Sequence, residues 1–236
     1  MDVRPGDALR SRPLPQLQRQ LFGHPFSSYT QKVLIALYEA DLPFEFKVIG
    51  PDAPDVAAEW LRLWPLRKFP VLVDEGRSVV ESSIIIEHLQ LAHPGAVRLL
   101  PMDARAALDV RFMDRFFDGH VMTPMQHAVN ATLFGGAWGS AEEGRAYAAE
   151  KLTMAYAWLE TRLAERGWAA GADFTLADCA AAPSLFYADW VHPIGAEFPK
   201  VRAYRARVLA RPSVKRAVDE ARPYRHLFPL GAPDRD

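Results

Sequence analysis

Residues Arg67–Leu89 read Arg-Lys-Phe-Pro-Val-Leu-Val-Asp-Glu-Gly-Arg-Ser-Val-Val-Glu-Ser-Ser-Ile-Ile-Ile-Glu-His-Leu. Pro70 opens a short β-branched run, a place where a strand accepts a residue lacking an N–H. Asp74-Glu75-Gly76-Arg77 supplies turn residues before Ser78-Val79-Val80, so the two runs form a hairpin. Glu81-Ser82 follows at once and starts a helix. A carboxylate and a hydroxyl beside the free N–H groups of a helix start make a small polar pocket, suited to a ligand that carries both an ammonium and a carboxylate. Were the Phe69–Pro70 bond cis, the main chain of Phe69 would turn outward and could pair with an extended, peptide-like ligand.

A second element lies upstream. Gln18–Gly23 is a short strand ending in the turn Gly23-His24-Pro25-Phe26. Ser27-Ser28-Tyr29-Thr30 then leads into Gln31–Ala40, a helix rich in good helix formers. A hydroxyl at this junction can donate a hydrogen bond, and the helix N-terminus adds partial positive charge. Both favour a bound thiolate over a thiol. A hydrogen bond to a charged group is worth about 1.5–3 kcal/mol, enough to lower a thiol pKa by roughly one to two units from about 8.5.

This succession resembles the thioredoxin-like domain of the cytosolic glutathione transferases, in a serine-type, bacterial-like form. The matching pieces are the first strand, Ser-Ser-Tyr-Thr and its helix, strand Phe44–Val48, a helix, Phe-Pro-Val-Leu-Val and Glu-Ser-Ser-Ile. The serine-type classes place their active hydroxyl six residues before a helical valine, which from Val33 leads to Ser27. The resemblance covers residues 18 to 222. It implies an α/β thioredoxin-like N-terminal domain followed by an all-α C-terminal helical domain, with glutathione as co-substrate. It implies that Ser27 stabilises the glutathione thiolate, that the Phe69 main chain binds the cysteinyl part beside cis-Pro70, that Glu81 and Ser82 hold the γ-glutamyl end, and that Lys68 reaches the glycyl carboxylate. It also implies a homodimer. The chain departs from the family in Trp64-Pro65-Leu66-Arg67-Lys68, where Asn-Pro-x-Gly-Lys is frequent: Trp64 replaces Asn and Arg67 replaces Gly. No Cys lies near the first helix, which argues against an enzyme that forms mixed disulfides.

The expected reaction is attack of the glutathione thiolate on a small hydrophobic electrophile. Two alternatives stand beside it: a non-catalytic relative that keeps the fold and only binds, and a glutathione-dependent isomerase of an unsaturated acid. The retained set Ser27, Lys68, Glu81 and Ser82 argues for glutathione binding. Ser27 alone would read as an ordinary helix cap; the downstream motif turns the reading to catalysis. Tyr29, Phe116 and His120 are candidates for the acceptor pocket. Phe112, Met113 and Phe116 also suit a core, and His120 and His127 share a helical face by spacing. With no third ligand, that pair gives no metal site.

Composition is consistent with this reading. The 236 residues are half hydrophobic, enough for a sizeable core, and the net charge of −1 gives no field that would favour nucleic acid or acidic membranes. Cys179, the single cysteine, rules out an intrachain disulfide and fits a reducing, cytoplasmic compartment; an alanine-rich helix makes it an inert thiol. No apolar run reaches transmembrane length. Residues 1–16 read as a flexible tail, 17–92 as the glutathione-binding domain, 93–100 as a linker, 101–228 as the helical domain and 229–236 as a second tail. From Met102 onward the period is helical. Ala104–Leu133, with Leu108, Phe112, Phe116 and Met122, and Glu142–Arg166, with Tyr147 and Leu152, are two helical segments divided by the glycines of 135–139. Thr175 and Asp178 make a capping box, with Phe174 as its staple.

Overall fold

The computed structural model describes residues 19–164 and 167–236. The tail expected at 1–16 lies outside these residues. Strand β1 (Arg19–Gly23) runs parallel to β2 (Glu45–Val48) and antiparallel to β3 (Val71–Asp74), which pairs with β4 (Arg77–Val80), so the sheet order is β2-β1-β3-β4. The register places Leu21 between Phe46 and Leu72, and both leucines are fully buried. The β3–β4 hairpin turns on Glu75 and Gly76, both at positive φ, the two-residue turn whose twist matches that of the strands.

Helix α1 (Ser28–Glu39) carries the chain across from β1 to β2, which lets those strands run parallel. Gly23 is required at the start of this crossing, because a Cβ there would stand 2.7 Å from the Thr30 side chain. Helix α2 (Pro54–Leu63) joins β2 to β3, and α3 (Ser82–Ala92) follows the hairpin. The remaining helices are α4 (Ala104–Phe116), α5 (Thr123–Phe134), α6 (Ala141–Arg162), α7 (Leu176–Val191), α8 (Pro199–Leu209) and α9 (Pro212–Ala221). Helix α1 lies between the sheet and α7 and α9, and this accounts for the burial of even its Gln31 and Lys32. Helix α7 is buried from Leu176 to Trp190 and forms the centre of the helical part. Its start is fixed by Asp178, which accepts bonds from the Thr175 N–H, the Thr175 hydroxyl, the Ala169 N–H and the Tyr204 hydroxyl.

One expectation for the helical part needs correction. Phe112 (49% exposed), read above as suited to a core, lies on the surface with Leu108, because the buried stripe of α4 runs through Ala107, Val110, Met113 and Phe116. Tyr147 is likewise on the surface of α6. His120 and His127 meet different neighbours: His120 lies against Phe116, and His127 against Trp138 and Tyr147. A π-helical segment, Phe117–Met122, joins α4 to α5 and shifts the register between them. The C-terminal segment 229–236 has no helix, but it is tied down: Asp236 accepts from Arg222 and Arg225, and Arg235 donates to Asp189.

Candidate active site

Ser27 caps α1. Its backbone is extended, and its hydroxyl oxygen accepts a 3.3 Å bond from the Thr30 N–H. The hydroxyl hydrogen has no acceptor among the described residues, so it is available to a ligand. The turn that presents Ser27 is braced from the helical part of the chain. The Gln31 amide donates to the Pro25 carbonyl and to the Tyr187 hydroxyl, and that hydroxyl donates to the Phe26 carbonyl at 2.9 Å. Tyr187 lies on α7, so the position of Ser27 depends on both halves of the fold.

A cavity of about 780 Å³, within the range of small-ligand sites, reaches Tyr29 two residues after Ser27, and Ser27 itself is not on its lining. Lys68, Phe69, Pro70, Glu81 and Ser82 all line it, and the Phe69–Pro70 bond is cis. The Trp60 indole donates to the Lys68 carbonyl at 2.9 Å and packs on the Phe69 ring, which holds this segment in place. Glu81 is the cap residue of α3 at φ 68, a conformation costing on the order of 1–3 kcal/mol for a residue with a side chain. Such strain is found where the surroundings impose a functional geometry. The bend presents the Glu81 carboxylate and the unbonded N–H groups at the start of α3 to one cavity.

Beneath Ser82 lies a charge cluster that sequence reasoning did not reveal. Lys32, buried in α1, bonds Ser83 Oγ at 2.9 Å, Asp118 at 2.8 Å and Asp114 at 2.5 Å. Arg115 bonds both aspartates at 2.8 Å and also donates to Ser83. Burial raises the Asp118 carboxyl above the usual carboxylate range, Asp114 adds to the effect, and Lys32 and Arg115 oppose it. Burial pulls the Arg115 guanidinium down, but its bond to Asp114 and the two carboxylate charges outweigh this and raise it. Two cations thus balance two carboxylates. Glu87 and Arg111, also on the lining, pair with each other. Glu81 and Lys68 therefore remain as charges on the cavity wall without a side-chain partner among the described residues. One negative and one positive group left free in this way fit a zwitterionic, peptide-like ligand. The only signal in the sequence for the cluster was a lysine within an apolar helix.

A second cavity, of about 410 Å³, opens on the other side of Lys68 and Phe69. Ser27, Ser28 and Tyr29 line it, so Ser28 faces the same space as Ser27. Its apolar wall comes from Phe26, Met125, Val129, Tyr187 and Phe228. Tyr29 lines both cavities, and its hydroxyl is pushed up to about 12, first by burial and then by Asp118, Glu81 and Asp114, so it stays protonated near neutral pH. Phe116 and His120 line neither cavity. Phe116 stacks on Trp158 with ring centres 4.3 Å apart, and His120 lies against Phe116. The helical period placed them on α4 and its extension but did not give the face. Cys179 is fully buried, and burial holds its thiol well above its usual pKa.

Comparison with known proteins agrees with this architecture. Residues 21–96 match the family model "Glutathione S-transferase, N-terminal domain", and residues 104–207 match "Glutathione S-transferase, C-terminal domain". The chain is 32% identical to the glutathione S-transferase-like protein LUC7 of Fusarium sp over 78% of this chain and 85% of that one. It is 27% identical to glutathione S-transferase U25 of Arabidopsis thaliana over 83% and 86% of the two chains. The glutathione transferase URE2P8 from Phanerochaete chrysosporium, solved with oxidized glutathione, superposes with a TM-score of 0.76 at 21% identity, covering 88% of this chain and 96% of that one.

Proposed function

Because the chain belongs to the glutathione S-transferase family of enzymes, we propose that the larger cavity binds glutathione and that Ser27 stabilises its thiolate for attack on an electrophile in the smaller one. The observation that carries this is the uncommitted Ser27 hydroxyl at the start of α1, on the wall of the apolar cavity, which shares Tyr29, Lys68 and Phe69 with the polar one. The γ-glutamyl ammonium pairs with the Glu81 carboxylate. Its carboxylate takes the Ser82 hydroxyl and the N–H groups of the α3 N-terminus, where the helix dipole favours an anion. The Phe69 main chain pairs with the cysteinyl residue, and Lys68 takes the glycyl carboxylate.

This arrangement brings the sulfur to the seam between the cavities. The Ser27 hydroxyl donates to the thiolate and not to the thiol, so it lowers the thiol pKa, and the displaced proton goes to solvent. The thiolate then forms a carbon–sulfur bond as the leaving group departs with its bonding electron pair. The protein supplies position and charge stabilisation, and glutathione supplies the nucleophile. In this reading residues 17–92 bind glutathione, the helices of 101–228 supply most of the acceptor wall, and the cytoplasm is the compartment that keeps both thiols reduced.

The protein is also proposed to act as a homodimer. Ile84 and Leu91 on α3 and Leu108 and Phe112 on α4 are exposed, and the Glu87–Arg111 pair joins the two helices between them. An apolar strip of this kind is a surface for association.

Titration calorimetry with glutathione tests the binding reading. Glu81→Gln and Ser82→Ala should each weaken binding by about tenfold, the worth of one bond to a charged group. Unchanged affinity in both variants would remove the assignment.

A further inference from the structure

The smaller cavity has a charge that its apolar wall does not explain. Its aromatic side is built by Phe26, Tyr187 and Phe228; Phe26 meets Tyr187 edge-on at 5.3 Å, and Tyr187 stacks on Phe228 at 6.2 Å. Such a surface suits a flat ring. No aspartate or glutamate lines this cavity, yet Arg67 and Lys68 both do. Neither cation has a side-chain partner among the described residues. Lys68 also lines the larger cavity, where glutathione's carboxylate accounts for it, whereas Arg67 lines only the smaller one. Arg67 stands at φ 57, a left-handed conformation that a residue with a Cβ adopts only under strain and that glycine adopts freely.

We propose that the acceptor is an aromatic electrophile bearing an anionic group, a carboxylate or a similar oxyanion, and that Arg67 is the residue that selects it. The ring lies on the Phe26–Tyr187–Phe228 wall, the oxyanion pairs with the Arg67 guanidinium at the rim, and the electrophilic carbon is left toward Ser27. The planar guanidinium fork suits such a group better than an ammonium does. This inference rests on the reading of the larger cavity as the glutathione site.

The test uses two acceptors that differ by one carboxylate, 4-chloro-3,5-dinitrobenzoate and 1-chloro-2,6-dinitrobenzene. In each, the thiolate forms the carbon–sulfur bond and chloride leaves with the electron pair. Arg67→Gly, which suits the backbone, should lower kcat/KM for the benzoate about tenfold, mainly through KM, and leave the neutral acceptor and the glutathione KM within about twofold. Arg67→Lys should restore part of the preference, and added salt should shrink it, because a rim charge is screened. Equal loss for both acceptors, or no loss for the benzoate, overturns the proposal. A raised glutathione KM in Arg67→Gly also overturns it, by assigning Arg67 to glutathione. Binding of 3,5-dinitrobenzoate and of 1,3-dinitrobenzene, measured by calorimetry without glutathione, separates the two readings. Arg67-dependent preference for the benzoate there supports the proposal even if glutathione binding fails, and its absence overturns the proposal even if glutathione binds.

Discussion

Replacing Tyr187 by Phe removes one oxygen and tests whether the helical part of the chain positions Ser27. That oxygen accepts from the Gln31 amide and donates to the Phe26 carbonyl, both at 2.9 Å. In the variant Gln31 keeps its bond to the Pro25 carbonyl at 3.0 Å, but the Phe26 carbonyl loses its donor. A net hydrogen bond is worth about 0.5–1.5 kcal/mol, and a stranded buried polar group costs about 1–3 kcal/mol. The carbonyl lies beside a cavity that water can enter, so the lower end applies and the expected loss of stability is about 2 kcal/mol. The ring stays, and with it the packing on Phe228. Urea unfolding measures the stability. Turnover should fall by about tenfold or more, since small displacements of a positioned group are costly. Glutathione affinity should hold, because Glu81 and Ser82 are on another element. A stability loss below about 0.5 kcal/mol with unchanged turnover would refute the reasoning.

Two further outcomes follow from the same geometry. Glu39 joins α1 to α9 through Arg211 and Ser213; burial pulls its carboxyl up, but those bonds and the Arg211 charge outweigh burial and hold it below the usual range. A carboxyl depressed in the folded state stabilises fully above its unfolded pKa, about 4.3, and loses that contribution as pH falls through its folded value. Glu39→Gln should therefore cost about 2 kcal/mol at pH 7 in thermal or urea unfolding, with the gap to wild type closing in acid; a gap that does not change with pH would contradict this. Sedimentation at micromolar concentration should give about twice the 26.4 kDa chain mass, and Leu91→Lys should shift it toward monomer; a wild-type monomer across that range would contradict the homodimer.

Local chemistry made much of this protein legible. The β3–β4 hairpin follows from Asp-Glu-Gly-Arg between β-branched runs, the α1 cap from Ser27, and the α7 start from the Thr175–Asp178 spacing. Each of these signals spans only a few residues. What the sequence did not convey was pairing at a distance. Lys32 meets Asp114 and Asp118, more than eighty residues away, and Tyr187 reaches the Phe26 carbonyl from α7. No local period encodes such partners. The helical period of 104–133 suited Phe112, Met113 and Phe116 to a core; Met113 and Phe116 are buried but Phe112 is half exposed, because a helical repeat gives a stripe without saying what it faces. The π segment at 117–122 then broke the register between His120 and His127. Arg67 was visible as a departure from glycine, and only its positive φ and place on the cavity rim gave the departure a meaning.

The ultraviolet absorbance of the glutathione thiolate against pH tests the role of Ser27 most directly. With wild-type protein the bound thiol should titrate roughly one to two units below its free value, and Ser27→Ala should return it toward that value while glutathione affinity stays within a few-fold. Tyr29 lines both cavities and keeps its hydroxyl proton near neutral pH, so Tyr29→Phe is one control and should move the titration less than Ser27→Ala. Ser28 lines the same cavity as Ser27, so Ser28→Ala is the control that fixes the register, and it should move the titration less. An unshifted titration in Ser27→Ala, with the full shift appearing in Ser28→Ala, would contradict the assignment of the thiolate to Ser27.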